Sequence, residues 1–464
     1  MRDHNIWKIL KAAFLGKEYD YTSGSIRTSL VLLSIPMIME MFMESLFAIV
    51  DIYFVSKLGD NDAVATVGLT ESVLMLIESV AIGVAMACIA MVARRIGEKD
   101  PESASIAGMQ SILLGTFVSL ILGVLAIIYT EDILRFMGGS EQLVETGSPF
   151  TRIILGSNLV LMLLFLFNGI FRGAGNAALA MYTLYLSNGL NIILDPCLIH
   201  GYFFFPKMGL EGAAIATVIG RSVGVLFQIY LLVKGYSIIK PKLQHLIPRW
   251  PIIWKLIRVS AGGAGQFLIS TASWIFLLRI LASFGSAVLA GYTIAIRVII
   301  FTILPAWGMS NATATLVGQN LGANEPERAE KTVWLAGKYN ALFLATISII
   351  FFMLADVVIA LFTDDPRVVK EGAMGLRIIC TGYIFFSYQM ILSQSFNGAG
   401  DTFTPTLINF IGSWLFQIPL AYLLAIRWDL GSEGVYIAIA CTSVILAGLN
   451  LVAFKTGRWK RINI

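Results

Sequence analysis

Apolar residues along this chain gather into long unbroken runs, and each run ends on glycine, proline or charge. Twelve such runs lie near 29–55, 64–92, 105–129, 145–170, 177–199 and 210–233, then 252–283, 288–318, 332–354, 371–395, 403–426 and 433–454. About 20 apolar residues cross the roughly 30 Å of bilayer hydrocarbon. A backbone surrounded by lipid must also satisfy its hydrogen bonds within its own segment, which favours helices. The pattern therefore predicts an all-α integral membrane protein with twelve transmembrane helices. Composition agrees, since 57% of the 464 residues are hydrophobic and 13% charged, whereas a soluble chain carries about a quarter charged residues.

The runs form two similar sets. Gly83 matches Gly308, Gly97 matches Gly322, Pro101–Glu102 match Pro326–Glu327, and Arg152 matches Arg377, all 225 positions apart. Phe171-Arg-Gly-Ala-Gly175 matches Phe396-Asn-Gly-Ala-Gly400 at the same offset. Small indels shift it at the ends, to 226 for Gly59 and Gly285 and 222 for Glu211–Gly212 and Glu433–Gly434. Six helices per half insert both halves the same way up, so the repeat is parallel, with an axis along the membrane normal. Two lobes facing each other enclose a cleft, and rocking one against the other gives alternating access. The expected organisation is an N-terminal segment 1–28, a first lobe 29–234, a linker 235–251, a second lobe 252–454 and a tail 455–464.

Lysine and arginine set the orientation. One side collects Arg2, Lys8, Lys11, Lys17, Arg27, Arg94, Arg95, Lys99, Arg172, the linker cations from Lys234 to Arg258, Arg328, Lys331 and the tail cations from Lys455 to Arg461. That makes 21, against 7 on the other side: Lys57, Arg135, Lys207, Arg279, Arg367, Lys370 and Arg427. Both termini should be cytoplasmic and the protein a multi-pass component of the cell's inner (plasma) membrane. No cleavable leader is evident ahead of the first run. The net charge of +4 is spent on topology, and nucleic acid is not an expected partner. Cys88, Cys197, Cys380 and Cys441 lack any CxxC spacing, and His4, His200 and His245 are too dispersed for a metal cluster.

Carboxylates inside the runs carry the functional signal, because charge in hydrocarbon is costly and is a functional hypothesis by default. On the first helix Glu40, Glu44 and Asp51 fall within about 40° of one another at 100° per residue. Glu71 and Glu78 share a face of the second helix. Asn188, Asn191 and Asp195 form a polar stripe on the fifth, which Asn168 of the fourth and Thr217 of the sixth can join. The matching second-half positions are Leu277 for Asp51, Ser270 for Glu44, Leu420 for Asp195 and Phe416 for Asn191. The ionisable chemistry thus sits in one lobe. Buried carboxylates beside one another can take up and release protons. Alternatively, the oxygens of Asp51, Asn191, Asp195 and Thr217 suit a hard cation such as Na⁺. Glu40 and Glu71 lie close enough to helix ends to be interfacial instead. Arg221 and Arg297 are either carboxylate partners or interface anchors.

These residues resemble the multidrug and toxic compound extrusion (MATE) family over nearly the whole chain. The resemblance rests on Pro36 followed by Asp51-Ile-Tyr-Phe-Val-Ser-Lys-Leu-Gly59, on Phe171-Arg-Gly-Ala-Gly-Asn176 with Ala180–Met181, and on Asn188–Asp195 with Gly209-Leu-Glu-Gly-Ala-Ala-Ile-Ala-Thr217. Gln319-Asn-Leu-Gly-Ala323 and Phe396-Asn-Gly-Ala-Gly-Asp401 with Pro405 complete it. It implies a secondary antiporter that exports amphipathic, cationic small molecules in exchange for H⁺ or Na⁺, with no cofactor. Carried over, Asp51 and Asp195 are the coupling carboxylates, with Asn168, Asn191 and Thr217 as neighbours and Glu44, Glu78 and Asn188 as auxiliaries. Pro36 is the point where the first helix bends, since proline removes a helix hydrogen bond. Some members carry a further carboxylate pair on the seventh and tenth helices; here those offer Gln266, Ser270, Gln389 and Gln394. The implied partners are the small-molecule substrate and membrane lipids, and the working unit a monomer.

Two other readings compete. A lipid-linked precursor flippase of the same superfamily would want basic residues in the cleft, and here the cleft charges are acidic. An intramembrane aspartyl enzyme would leave the repeat unexplained. No Gly-rich Lys-Ser/Thr phosphate loop is present to use ATP.

Overall fold

The computed structural model describes residues 6–16, 19–57 and 61–464; Arg2, His4 and Lys17 of the charge and histidine census and Gly59 of the repeat lie outside them. Among the described residues the chain is helical throughout, with no strand. A short amphipathic helix α1 (Ile6–Leu15) precedes α2 (Ile26–Ser56), α3 (Asn61–Gly97) and α4 (Pro101–Ile128). Then come α5 (Thr130–Phe136), α6 (Glu141–Gly156), α7 (Asn158–Gly173), α8 (Ala177–His200) and α9 (Gly209–Val233). The second half holds α10 (Trp250–Ala282), α11 (Ser286–Gly322), α12 (Pro326–Ala360), α13 (Pro366–Cys380) and α14 (Tyr383–Ala399). It ends with α15 (Phe403–Phe410), α16 (Ile418–Tyr422) and α17 (Gly431–Lys455).

Among the described residues eleven spans are long and apolar enough to cross a bilayer, and the pair α13–α14, bent by 57°, counted as one span, brings them to twelve. Two of the expected runs are each made of two helices. The run near 371–395 bends between Cys380 and Tyr383, and the run near 145–170 is α6 and α7, interrupted at Ser157. A third, Phe403–Arg427, relaxes into π-helical turns at Ile411–Gln417 and Leu423–Arg427. All four cysteines are free thiols.

Each half has its own core. In the first, α3, α4 and α7 pack around Ala81, Cys88, Leu166 and Phe171; in the second, α10 to α13 and α17 pack around Leu281, Tyr292, Leu376 and Tyr436. The repeat reappears in the contacts between halves, where α2 meets α11 and α3 meets α10 and α11. A Cβ on Gly97 would fall 2.0 Å from the Gln319 carbonyl oxygen, and one on Gly322 would fall 2.1 Å from that of Arg94. Further along the same helices, a Cβ on Gly83 would meet Ser260 O at 2.6 Å, and one on Gly308 would meet Ile38 N at 2.8 Å. The glycines that mark the repeat are thus where the two halves touch most closely, because only a missing side chain lets the backbones approach so near.

This closed seam lies at the end carrying the termini. Arg94 and Arg95 donate to the carbonyls of Ile462 and Ile464 at 2.9 Å, and Arg328 donates to those of Ser23 and Gly24 at 2.8 and 2.9 Å. Tyr21 Oη donates to Gly175 O (3.0 Å) and Gln319 Nε2 to Gly173 O (3.0 Å). The segment joining the halves lies on α4. Gln110 Nε2 donates to the carbonyls of His245 (2.6 Å) and Ile247 (2.9 Å), its Oε1 accepts from Arg249 N (2.8 Å), and Lys240 N donates to Ser105 Oγ (3.0 Å).

Candidate functional site

The acidic residues of α2 spread along one side of the helix and meet three different surroundings. Farthest from the termini, Glu44 and Asp51 line a cavity of about 270 Å³ with Glu71 and Glu78 of α3 and Arg221 of α9. Phe47, Leu74, Met75, Phe150 and Thr217 are among the other residues of its wall. The cavity thus sets four carboxylates against one guanidinium. Glu44 and Glu71 are exposed. Glu71 lies within electrostatic range of Arg297 on α11 of the second half.

Behind Asp51, α8 and α9 assemble the polar stripe. Asp195 is fully buried and lies within electrostatic range of Asp51. Oriented to satisfy its neighbours, the Asn191 amide donates to Asp195 Oδ2 (2.8 Å) and accepts from Thr217 N (3.0 Å) and Oγ1 (3.1 Å). Asp195 Oδ1 has no hydrogen-bond partner among the described residues. Such close packing of α8 on α9 depends on Gly220, where a Cβ would fall 2.7 Å from Ser187 O. Asn188 Nδ2 donates to Glu44 Oε2 at 2.9 Å. Asn191, Asp195 and Thr217 therefore come together beside Asp51, and Asn188 joins Glu44 instead.

Asn168 does not join that group. Its Nδ2 donates to Glu40 Oε1 (3.4 Å) and its Oδ1 accepts from Gln228 Nε2 (2.8 Å). Glu40 is fully buried rather than interfacial, and its partner is Arg172, at 2.6 Å. The sequence places Arg172 in a connection, among the cations that set orientation. In the structure it occupies the last turn of α7 and turns inward, so one of the 21 cations is spent inside the protein. Gln228 was not expected here either; its only sequence signal is an amide in the apolar stretch of α9. Pro36 is buried within a continuous α2, one turn before Glu40. Its missing N–H removes one rung of the helix at that level.

Known proteins resemble this chain over most of its length. The MatE family model matches residues 36–197 and 264–423, one stretch in each half. A curated relative, described as a probable multidrug resistance protein NorM of Thermotoga maritima, is 27% identical over 436 residues, covering 94% of each chain. A crystal structure of a MATE protein in its straight conformation superposes with a TM-score of 0.89 at 27% identity, covering 95% of this chain and 98% of that one. An outward-facing structure of a multidrug resistance MATE transporter gives 0.89 at 26% identity, over 95% and 98%.

Proposed function

Because the chain belongs to the MatE family of membrane transporters, we propose that it exports amphipathic organic cations in exchange for H⁺ or Na⁺, through carboxylates of its first half. One observation carries the reading. Asp195 is buried with an unpartnered oxygen beside Asp51, while the matching second-half positions are Leu420 and Leu277. An unpaired charge deep in a protein is costly, and a second carboxylate nearby raises that cost. Capturing a proton, or a cation held by Asp51, Asn191, Asp195 and Thr217, relieves it.

The exposed carboxylates Glu44 and Glu71 give a cationic drug its first contact, and the aromatic and methionine wall accommodates its flat apolar body. Exchange follows if the two loads compete for the same negative charge, so that one must leave before the other binds. Closure at the termini-bearing end, here read as the cytoplasmic side of the inner membrane, makes the observed state the one that releases drug and loads the cation. The relatives are transporters rather than enzymes, and no catalytic step is needed.

The test is efflux of ethidium from proteoliposomes under a pH gradient and, separately, a Na⁺ gradient. Asp51→Asn and Asp195→Asn should each abolish gradient-driven efflux while the protein stays folded in the membrane. Wild-type transport by either variant would sink the assignment.

A further inference from the structure

Glu40 and Arg172 lie outside the acidic cavity, yet they form an ion pair between side chains 0% and 14% exposed. Arg172 Nε also donates to Glu40 Oε2 at 3.2 Å. A buried salt bridge is weak evidence for stability, because neutral groups of similar shape often serve as well. Here the protein supplies the comparison. At the offset relating Asp51 to Leu277, Glu40 corresponds to Gln266, and at 225 Arg172 corresponds to Asn397. In the second half these two side chains make a reciprocal amide pair, Gln266 Nε2 to Asn397 Oδ1 at 2.9 Å and Asn397 Nδ2 to Gln266 Oε1 at 3.3 Å. The fold is therefore built at this place without charge, and only the lobe with the acidic cavity carries charge there.

The pair's position suggests what the charge does. Glu40 is one helical turn before the cavity residue Glu44 and within electrostatic range of it. On the other side, Arg172 immediately precedes Gly173, whose carbonyl accepts from Gln319 of the second half at 3.0 Å. The Gln319 bond crosses the closed seam and must break when the halves part at this end. Glu40 thus lies between the acidic cavity and the seam.

We propose that Glu40, held by Arg172, is the inward-side proton station of the first half. A proton leaving Glu44 forms its O–H bond on a Glu40 oxygen as the Glu44 bond breaks, Arg172 loses its ionic partner, and the proton passes to water once the seam opens. The proposal rests on the antiport reading, with H⁺ as the exchanged ion.

The experiment transplants the second half's solution into the first, as the double variant Glu40→Gln/Arg172→Asn. Two rates are measured in proteoliposomes: net ethidium efflux driven by a pH gradient, and exchange of ethidium for labelled ethidium without a gradient. Substrate-for-substrate exchange needs rocking and binding but no proton release. The expected result is exchange near the wild-type rate, with net efflux falling roughly a hundredfold or more, the scale of losing a positioned proton-transfer group. Both rates unchanged, or both falling together, would overturn the proposal, because a strut affects them alike. If the double variant fails to accumulate, Glu40→Gln alone is read by the same two rates and the same criteria. Asp51→Asn run in parallel separates the two ideas: wild-type efflux there defeats the antiport reading itself, whereas its loss beside an unaffected double variant defeats only the proton station.

Discussion

Substituting alanine for Gly322 should force the molecule open at its closed end. The new methyl would sit 2.1 Å from the carbonyl oxygen of Arg94, and real Cβ contacts essentially never fall below 3.0 Å. The neighbour is backbone, which cannot rotate aside as a side chain can, so α11 and α3 must separate by about 0.9 Å to clear it. Overpacking of this kind costs about 1–3 kcal/mol. The cost falls only on the conformation in which the two helices touch, because the methyl is unhindered once they part. The open population therefore rises by about 5- to 150-fold, at tenfold per 1.4 kcal/mol. A cysteine at Ser260, a position 8% exposed whose carbonyl abuts Gly83, reports the change. Cys88, Cys197 and Cys380 are buried and stay silent, while exposed Cys441 is first replaced by alanine. Maleimide labelling at position 260 should accelerate within that range in Gly322→Ala, with ethidium still bound. Unchanged labelling together with an unchanged melting temperature would refute the claim that this seam is held by backbone contact.

Other outcomes follow from single groups. Thr217→Val removes one oxygen from the Asn191–Asp195 cluster at nearly constant volume; losing one hydrogen-bonding group of about 0.5–1.5 kcal/mol should weaken the apparent Na⁺ affinity about 2- to 12-fold, measured as the Na⁺ concentration giving half-maximal efflux. An unaffected Na⁺ response would remove Thr217 from the proposed cation shell. Asp100, which caps α4 by accepting from Ser103 N at 2.9 Å, is held below the usual carboxylate range by Ser103, through its side chain first and its backbone N–H second. A depressed carboxyl contributes stability that is present at neutral pH and lost as the pH falls through its lowered value. Asp100→Ala should therefore cost about 0.5–2 kcal/mol, the usual worth of a helix cap, in denaturant unfolding near pH 7, and the difference from wild type should vanish in strong acid. A gap that persists there would mean the carboxylate charge is not what the cap uses.

Much of this could be read from the chain because the dominant forces are one-dimensional. Lipid imposes apolar length, so all twelve spans were visible as runs, and duplication leaves a constant offset that any pair of glycines displays. The acidic face of α2 was equally legible, since helical geometry alone puts Glu40, Glu44 and Asp51 on one side. What escaped depends on contacts between distant residues. Arg172 and Glu40 are 132 positions apart, and an arginine at the end of an apolar run looks like any other membrane-flanking cation until the partner is seen. Asn168 meets Glu40 and Gln228 rather than Asp195 for the same reason: periodicity fixes a face, not which neighbour fills it. The breaks at Ser157 and near Thr381 leave hydrophobicity unaltered, and so leave no trace in a pattern of runs. The helix α1 is only ten residues long, too short to cross a bilayer and so absent from a pattern of membrane-length runs.

The strap between the halves carries a mechanical consequence. Gln110, Ser105 and Glu102 pin residues 240–249 against α4, so these residues travel with the first half as if welded to it. The freely turning length is then little more than the step from Arg249 into α10, where Pro251 stiffens the backbone. A joint so short acts as a pin hinge: it permits a tilt about one corner of the molecule but little sliding, and it fixes where the fulcrum of any rocking motion must lie.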